Sequence, residues 1–259
     1  MNASHETMNN KPRTVVVTGG GKGIGAFISK AFYVNGDRVV IASRHDSGLA
    51  AQMEERSRFV MCDVSKPSDL HKVVESAIEW TGRLDVFVNN AGRSAWNPVS
   101  KVDEKFWDEM LDVNLKSAFF GCQAAAKVMK KGACIINISS LAGGRGSANN
   151  SVYCAAKFGV NGLTQALAKE LGPRGIRVNA VCPVYVETDG LLESLADSNA
   201  PPSGQDIPTY LKNFANSQSA LQRLPLGDEV AQACLFFASP ASSAITGQCV
   251  NVDCGVMPK

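Results

Sequence analysis

The chain has 259 residues, of which 45% are hydrophobic and 19% are charged, and its formal net charge is +2. This composition can fill a large core and excludes overall disorder, while the interspersed charges exclude a basic surface for nucleic acid or an anionic membrane. No apolar run approaches the roughly 20 residues that cross a bilayer.

The polar residues 1–13 come first and lack the apolar region of a secretory signal, so they are predicted to be a flexible tail on a cytoplasmic protein. Seven short β-rich runs follow, most of them continuously apolar, as in parallel strands covered on both faces. The runs span residues 14–18, 38–42, 58–62, 84–88, 133–138, 176–181 and 248–252. Helical patterns lie between them, at about 23–35, 67–80, 103–130, 151–171 and 227–238.

This alternation predicts an α/β fold with right-handed crossovers. We expect a single Rossmann-type, doubly wound domain over residues 14–259, with a seven-stranded parallel sheet flanked by helices on both faces. Residues 189–225 interrupt the alternation after the sixth strand and contain Pro201, Pro202 and Pro208. This long segment is predicted to be irregular and to form a lid over a functional site.

A glycine-rich segment directly follows the first predicted strand and opens the first helix. Glycines allow a tight turn and a close approach to a pyrophosphate, whose charge is favoured at a helix N-terminus. Because the strand–loop–helix context matches, we interpret the segment as a nucleotide-binding loop rather than an ordinary tight turn. The candidate binding residues are Gly19, Gly21, Lys22, Gly23, Ile24 and Gly25.

The end of the second strand indicates which nucleotide binds. NAD-binding proteins usually place an acidic residue there, against the ribose 2′-hydroxyl. This chain has Ser43 and Arg44 instead, and an arginine matches a 2′-phosphate. With Lys22 nearby, the sequence favours NADP(H) over NAD(H). The alternative is that Arg44 and Lys22 are ordinary solvated surface charges.

Tyr153 and Lys157 begin the helix predicted at 151–171. Their i, i+4 spacing places both on one helix face. A neighbouring ammonium favours the phenolate, so Lys157 is expected to lower the pKa of Tyr153 and let it exchange a proton with an alcohol or carbonyl. Because this spacing is common by chance, the alternative is that Tyr153 and Lys157 are an ordinary pair of surface residues.

Cysteines and histidines give no sign of a metal site. The eight cysteines include no CxxC pair, and the three histidines lack ligand spacing. Without an export signal, we expect small, mostly buried, reduced thiols and no bound metal.

Further motifs occur in a set order along the chain. They are Cys62-Asp63-Val64, Asn89-Asn-Ala-Gly92, Asn114 in Asp-Val-Asn-Leu, Ile138-Ser-Ser140 and Arg177-Val-Asn-Ala-Val-Cys-Pro183. Together with the glycine loop and the Tyr153–Lys157 pair, they make the chain resemble the short-chain dehydrogenase/reductase family, including its NADPH-dependent 3-oxoacyl-[acyl-carrier-protein] reductases. The resemblance covers essentially everything from Thr14 onward.

The resemblance implies specific roles for the motif residues. Tyr153 would be the catalytic acid/base, Lys157 would support it and bind the nicotinamide ribose, Ser140 would orient the substrate oxygen, and Asn114 would anchor a water in a proton relay. The implied cofactor contacts are Asp63, Val64, Asn90, Ala91, Gly92, Tyr153, Lys157, Pro183, Val186 and Thr188.

The chain departs from the family pattern at two positions. Pro183 is followed by Val184 where the family usually has glycine, and near the C-terminus a common Asp-Gly-Gly appears as Asp253-Cys254-Gly255. A β-branched residue cannot take the torsions that glycine allows, so we expect the backbone beside the nicotinamide to differ.

The substrate is less well determined than the reaction. By resemblance, residues 93–96, 141–145 and 148–151 would line the pocket. Among them Arg93, Arg145, Asn149 and Asn150 would suit a polar or anionic ketone, unless they are solvated loop residues. A 3-oxoacyl thioester on an acyl carrier protein is one possibility. The carrier's docking residues would be Lys130, Lys131 and Arg174, with ordinary surface charge as the alternative.

Other functions remain open at this point. A keto-sugar or another secondary-metabolite ketone is a second substrate class. An alcohol or sugar dehydrogenase working oxidatively in a specialised pathway is the alternative enzyme, and a non-catalytic NADP-binding regulator is a remote alternative. The resemblance also implies a homotetramer or homodimer built through the long helices at 103–130 and 151–171.

Overall fold

The structure, a computed structural model, describes residues 12–258, so nearly all of the predicted tail lies outside the described residues. The apolar runs form seven strands, because Val- and Ile-rich segments suit a buried pleated surface. The strands are β1 (Thr14–Thr18), β2 (Arg38–Ser43), β3 (Ser57–Met61), β4 (Val86–Asn89), β5 (Cys134–Ile138), β6 (Arg177–Pro183) and β7 (Cys249–Val252).

The strands lie in the order β3-β2-β1-β4-β5-β6-β7, and every neighbouring pair is parallel. The predicted Rossmann-type sheet is therefore confirmed. In the register, Val16 stands opposite Val40 on β2 and Phe87 on β4. The chain order reverses between β1 and β4, the place where α/β sheets open a ligand crevice at their carboxyl edge.

Within residues 12–258, nine α-helices connect and cover these strands. They are α1 (Gly23–Val34), α2 (Leu49–Gln52), α3 (Pro67–Thr81), α4 (Glu104–Leu111), α5 (Ser117–Val128), α6 (Ser151–Leu171), α7 (Asp189–Leu195), α8 (Ile207–Gln218) and α9 (Gly227–Ala238).

Two apolar layers hold the helices against the sheet. Alternating residues of β1 point to opposite faces: Val15 and Val17 join the layer that contains Phe32 of α1, whereas Val16 joins the other layer. Phe237 of α9 packs in the first layer, and α3, α5 and α6 contribute to the second. Each fully buried large side chain contributes about 1.5–3 kcal/mol, so the layers fix the strand ends that carry the site.

A buried polar cluster crosses the second layer behind the site. Asn89 Nδ2 donates to Asn137 Oδ1 at 2.9 Å, and Asn137 Nδ2 donates to Thr164 Oγ1 at 2.9 Å. The Cys122 thiol lies 3.6 Å from Asn137 Oδ1. Because Asn89, Asn137 and Thr164 belong to β4, β5 and α6, these bonds fix the position of α6 relative to both strands.

An ion pair ties the start of β1 to two helix ends. Arg13 donates from Nε and Nη2 to the two carboxylate oxygens of Asp37 at 2.9 and 2.7 Å. Its Nη1 donates to the carbonyl of Ala238, the last residue of α9, at 2.6 Å. The Asp37 side chain is only 4% exposed, and Asn35 Nδ2 also donates to it at 3.0 Å, so its carboxylate is satisfied within the protein.

The structure corrects the prediction that residues 189–225 are irregular, since α7 and α8 lie there. Thr188 caps α7 by accepting a hydrogen bond from the Leu191 amide, and Asp206 caps α8 by accepting one from the Thr209 amide. Pro208 lies in the first turn of α8, where its missing amide hydrogen costs nothing. It therefore does not oppose a helix at this position.

The pattern at 103–130 is also not one regular helix. It forms α4 and α5 joined by a π-helical turn, Asp112–Lys116, in which one additional residue widens the helix. The periodicity of the sequence gave no sign of this turn.

Six of the eight cysteines are buried, as the sequence predicted. Within the part of the chain that the structure describes, no cluster of three or more His, Cys, Asp or Glu side chains is placed to hold a metal ion. Nor is any described helix both long and apolar enough to span a bilayer.

Candidate active site

Three of the predicted catalytic residues meet at the carboxyl edge of the sheet. Tyr153 and Lys157 lie one turn apart on α6, and Ser140 follows β5. Ser140 is close enough to the Tyr153 hydroxyl to lower its pKa through hydrogen bonding, and Lys157 Nζ lies 5.6 Å from the centre of the Tyr153 ring. The spacing argument on α6 therefore gave the right neighbours.

Lys157 is held by the end of β5. Its side chain is buried, with the residue 4% exposed, and Nζ donates to the Ile138 carbonyl at 2.9 Å. The Ser139 hydroxyl donates to the Lys157 carbonyl at 3.4 Å. Because burial removes water from the ammonium, the pKa of Lys157 falls to about 8.

The expected effect of Lys157 on Tyr153 is wrong in this arrangement. Burial raises the pKa of Tyr153 to about 12, and the hydrogen bond with Ser140 offsets only part of that rise. The Lys157 ammonium is directed to the Ile138 carbonyl, and both side chains lose hydration. At neutral pH the phenol therefore keeps its proton and can donate it.

Asn114 reaches the same place from the π-helical turn. Its Oδ1 accepts from the Arg93 amide at 3.1 Å, and its Nδ2 donates to the Arg93 and Met110 carbonyls at 3.0 and 2.9 Å. A Cβ at Gly92 would lie 2.8 Å from Asn114 Oδ1 and 3.6 Å from Lys157 Nζ. Because Gly92 has no side chain, the Asn114 side chain can approach Lys157, and with it Ser140 and Tyr153.

The glycine loop forms a cradle of bare backbone between β1 and α1. Gly19 and Gly23 have φ angles of +63° and +54°, and a Cβ at Gly25 would collide with the Gly19 carbonyl oxygen. No side chain caps the first amides of α1, which leaves those donors for a phosphate. These features fit a dinucleotide pyrophosphate.

β4 supports this loop from the other side of the crevice. The Asn90 and Ala91 amides donate to Thr18 Oγ1 at 3.0 and 3.1 Å, and Asn90 Nδ2 donates to the Thr18 carbonyl at 2.9 Å. The predicted residues Asn90 and Ala91 therefore shape the loop through Thr18.

Two hydroxyl groups border the outer end of the loop. A Cβ at Gly21 would lie 2.7 Å from Ser47 Oγ and 3.6 Å from Ser43 Oγ. Arg44 and Lys22 are exposed, so both cations can reach a ligand. Sequence reasoning missed Ser47, for which the only signal was its closeness to Arg44 in the chain.

The residues after β3 lie beside the same end of the crevice. Asp63 accepts hydrogen bonds from the Ser65 hydroxyl and amide at 2.7 and 3.1 Å. The Ser65 side-chain bond is the main cause that lowers the Asp63 pKa, and the charge of Arg44 adds to it. Val64 packs partly buried against the second apolar layer.

The segment after β6 completes the crevice. Pro183 ends β6, Val186 is buried in the first layer, and a Cβ at Gly23 would lie 3.9 Å from Thr188. Val184 does not take a positive φ, whereas Cys254 does, at +55°. Cys254 is thus strained at the position where the family commonly has glycine.

Comparison with known proteins agrees with this geometry. A family model described as enoyl-(acyl carrier protein) reductase matches residues 19–257. A 3-oxoacyl-[acyl-carrier-protein] reductase of Chlamydia trachomatis is 36% identical over 253 residues, which are 94% of this chain and 97% of that protein. The chain belongs to the short-chain dehydrogenase/reductase family.

Solved short-chain dehydrogenases/reductases share the fold. An aldohexose dehydrogenase of Thermoplasma acidophilum superposes with a TM-score of 0.86 and 30% identity, over 95% of this chain and 94% of that one. A variant of the actinorhodin polyketide ketoreductase with NADPH gives a TM-score of 0.87 and 28% identity, over 95% and 97%. Members of this family are oxidoreductases that bind a nicotinamide cofactor and act on small molecules.

Two contacts of this short-chain dehydrogenase/reductase were not predicted. The carbonyl that holds Lys157 belongs to Ile138, and a backbone group leaves no signal in a sequence. Trp96 is also buried near the site, with its Nε1 donating to Ser194 Oγ at 3.1 Å. A tryptophan in a loop was the available signal for that contact.

Proposed function

We propose that the protein is an NADP(H)-dependent oxidoreductase that interconverts a ketone and a secondary alcohol by hydride transfer. The convergence of Ser140, Tyr153 and Lys157 beside the glycine loop carries this proposal. A hydroxyl pair and a buried lysine next to a bare-backbone cradle are suited to placing a carbonyl oxygen for protonation.

Each residue has a distinct task in this reaction. The bound nicotinamide supplies the hydride chemistry. The Ser140 hydroxyl holds the substrate oxygen in line, and Tyr153, protonated because its pKa is about 12, donates the proton in reduction and accepts it in oxidation. Lys157 would bind the nicotinamide ribose, while Asn114 would hold a water that connects Lys157 to solvent.

The preference for NADP(H) is supported by the outer end of the crevice. Exposed Arg44 and Lys22, with the hydroxyls of Ser43 and Ser47 beside Gly21, present donors to a 2′-phosphate. If this assignment is right, Arg44→Ala should lower the ratio of kcat/KM for NADPH over NADH by about tenfold. An unchanged ratio would contradict it.

The reductase direction is supported by the Chlamydia relative, and a 3-oxoacyl thioester on an acyl carrier protein is the proposed substrate. The predicted docking residues Lys130, Lys131 and Arg174 are all exposed and can meet an acidic carrier. Arg174 Nη2 also donates to the Ala126 carbonyl at 2.6 Å. In the predicted pocket, Arg93 pairs with Glu109 at 3.0 Å.

A polar ketone or sugar substrate is the second candidate, and the aldohexose dehydrogenase among the solved relatives favours it. Asn149 and Asn150, directly before α6, supply amide groups near the site. An oxidative sugar dehydrogenase would use the same Tyr153 in the reverse direction.

A homotetramer or homodimer is proposed through α5 and α6. Phe119 and Phe158 on these helices are 42% and 47% exposed and offer apolar surface that a second copy of the chain could cover. Size-exclusion chromatography with light scattering tests this proposal, and a species of 27.5 kDa at micromolar concentration would contradict it.

The decisive test is oxidation of NADPH with a panel of carbonyl substrates, namely a 3-oxoacyl thioester, a keto-sugar and a bulky cyclic ketone. Tyr153→Phe should lower kcat by at least about 100-fold, because it removes the acid/base, while NADPH still binds. Tyr33→Phe, on α1 away from the site, is the control. Wild-type turnover in Tyr153→Phe would overturn the proposal.

A further inference from the structure

The segment that the sequence predicted as a lid has a small apolar core of its own. This lid core is distinct from the two layers that pack on the sheet. Its members are Trp96, Tyr185, Leu191, Leu192, Leu195, Ala200, Ile207, Tyr210, Leu211 and Leu224. Among the described residues, Trp96 is the one member that comes from outside residues 185–224.

Trp96 joins this core to the body of the domain by contact and by hydrogen bond. Its side chain is buried, with the residue 6% exposed, and Nε1 donates to Ser194 Oγ on α7 at 3.1 Å. A second link on the same side runs from Asn149 Nδ2 to the Asn199 carbonyl at 3.0 Å.

A cleft separates part of the lid from the body of the domain. A cleft of about 450 Å³ lies between α8 and the helices α1 and α9, lined by Leu211 and Ala215 on one side and by Phe27 and Gly227 on the other. Apolar contact along this cleft is therefore incomplete. At the C-terminal end of the segment the Ser219 hydroxyl and the Leu221 amide donate to the Cys254 carbonyl at 3.0 and 3.1 Å, whereas the contacts around Trp96 attach the side that carries α7.

The backbone on both sides of Trp96 is tied to the site. Three residues before it, the Arg93 amide and carbonyl bond to the Asn114 side chain. One residue after it, the Asn97 amide donates to the Asn149 carbonyl at 2.6 Å, just before α6. The position of the indole is thereby fixed relative to both Asn114 and the helix that carries Tyr153.

We propose that Trp96 is a positioning residue that docks the lid segment over the active site. Its indole extends from the main part of the domain into the lid core. The position of the lid is therefore set by the loop around Trp96, which is bonded to Asn114. Substrates enter between this lid and the Ser140–Tyr153 pair, and Trp96 sets how tightly the lid closes on them.

Hydrogen–deuterium exchange on the wild-type protein and on Trp96→Ala tests the docking. Removing a buried tryptophan should speed exchange in peptides covering residues 189–218 by about 100-fold, with β4 and β5 unchanged. Trp107→Ala removes a half-exposed tryptophan of α4 and is the matched control, for which exchange in 189–218 should match the wild type.

Two results would overturn the docking proposal. One is wild-type exchange of residues 189–218 in Trp96→Ala, and the other is an equal acceleration in the sheet, which would make Trp96 a general core residue. Should Trp96→Ala not fold, Trp96→Phe and Ser194→Ala each remove the indole–hydroxyl bond. Faster exchange confined to 189–218 is expected of both, and no change in either would refute the docking.

The kinetic part rests on the proposed function, whereas the exchange experiment does not. With a carbonyl substrate that the wild type reduces, Trp96→Ala should raise KM by at least about tenfold and change kcat by less than about threefold. A loosened lid with an unchanged KM would overturn the positioning role. Absence of turnover in the wild type would instead count against the proposed function, and exchange would still decide the role of Trp96.

Discussion

Lys157→Met offers a direct test of the electrostatics of the buried lysine. The pKa of the wild-type lysine is about 8 in the fold, against an ordinary value of 10.5. As pH rises through the folded pKa, the folded state loses this proton before the unfolded chain does, so the wild type gains stability. Linkage makes the gain about 1.3 kcal/mol between pH 7 and pH 9. Methionine has a similar shape and no charge, so the variant lacks this gain.

The assay compares melting temperatures of wild type and Lys157→Met, without added nucleotide, at several pH values from 7 to 9. Other groups titrate alike in both proteins and cancel in the difference. Tyr153, with a raised pKa of about 12, begins to affect stability only above its ordinary value near 10. The melting temperature of the wild type should rise by about 3 to 5 °C relative to that of Lys157→Met over this range.

A melting-temperature difference that stays constant from pH 7 to pH 9 would refute the reasoning, because an ordinary lysine loses no proton there in either state. A wild type that loses stability relative to Lys157→Met over this range would give the pKa shift the opposite sign. Lys127→Met, at an exposed position on α5, is the matched control for removing one positive charge.

Three further predictions concern stability and nucleotide binding. Arg13→Ala should lower the free energy of unfolding by about 3 kcal/mol, since it leaves the buried Asp37 carboxylate without its partner; urea denaturation measures this. Thr164→Val should cost about 1–3 kcal/mol in the same assay, because Asn137 Nδ2 loses its buried acceptor. Gly25→Ala should abolish NADPH binding in a fluorescence titration, since its Cβ has no room in the loop.

Each of these predictions has a control and a contradicting result. Arg83→Ala breaks an ion pair that is about half exposed on the arginine side and should cost less than about 1 kcal/mol; an equal cost for both arginines would refute the burial argument. A neutral Thr164→Val would show that the cluster does not depend on this bond. Gly146→Ala, at an open position, should bind NADPH normally, and normal binding by Gly25→Ala would contradict the cradle.

The sequence predicted the sheet, and the grouping of Ser140, Tyr153 and Lys157 at its edge, because both depend on short-range patterns. Continuous apolar runs such as 14–18 mark strands buried on both faces, and parallel strands bring their following residues to one edge. The i, i+4 pair Tyr153 and Lys157 needs only helix geometry to become neighbours. The glycine loop follows from its place between a strand and a helix.

The errors came from features that depend on tertiary context. Burial of Tyr153 raises the phenol pKa, which the spacing of Tyr153 and Lys157 alone does not reveal. Pro208 lies in the first turn of α8, where proline is tolerated. From the sequence alone it indicates a helix breaker, because the start of that helix is not known. The π-helical turn Asp112–Lys116 has the composition of an ordinary helix, so periodicity cannot reveal it.

That turn has a consequence for comparing related chains. Successive residues of an α-helix are rotated by about 100°, so the additional residue at Asp112–Lys116 changes the phase between α4 and α5. Deleting one residue there would restore an even helix and keep α5 in its place on the sheet. The Asn114 amide would then face another direction. A related chain that lacks one residue in this stretch would therefore aim the amide at the position of Asn114 in another direction. This holds even when all the surrounding residues are identical.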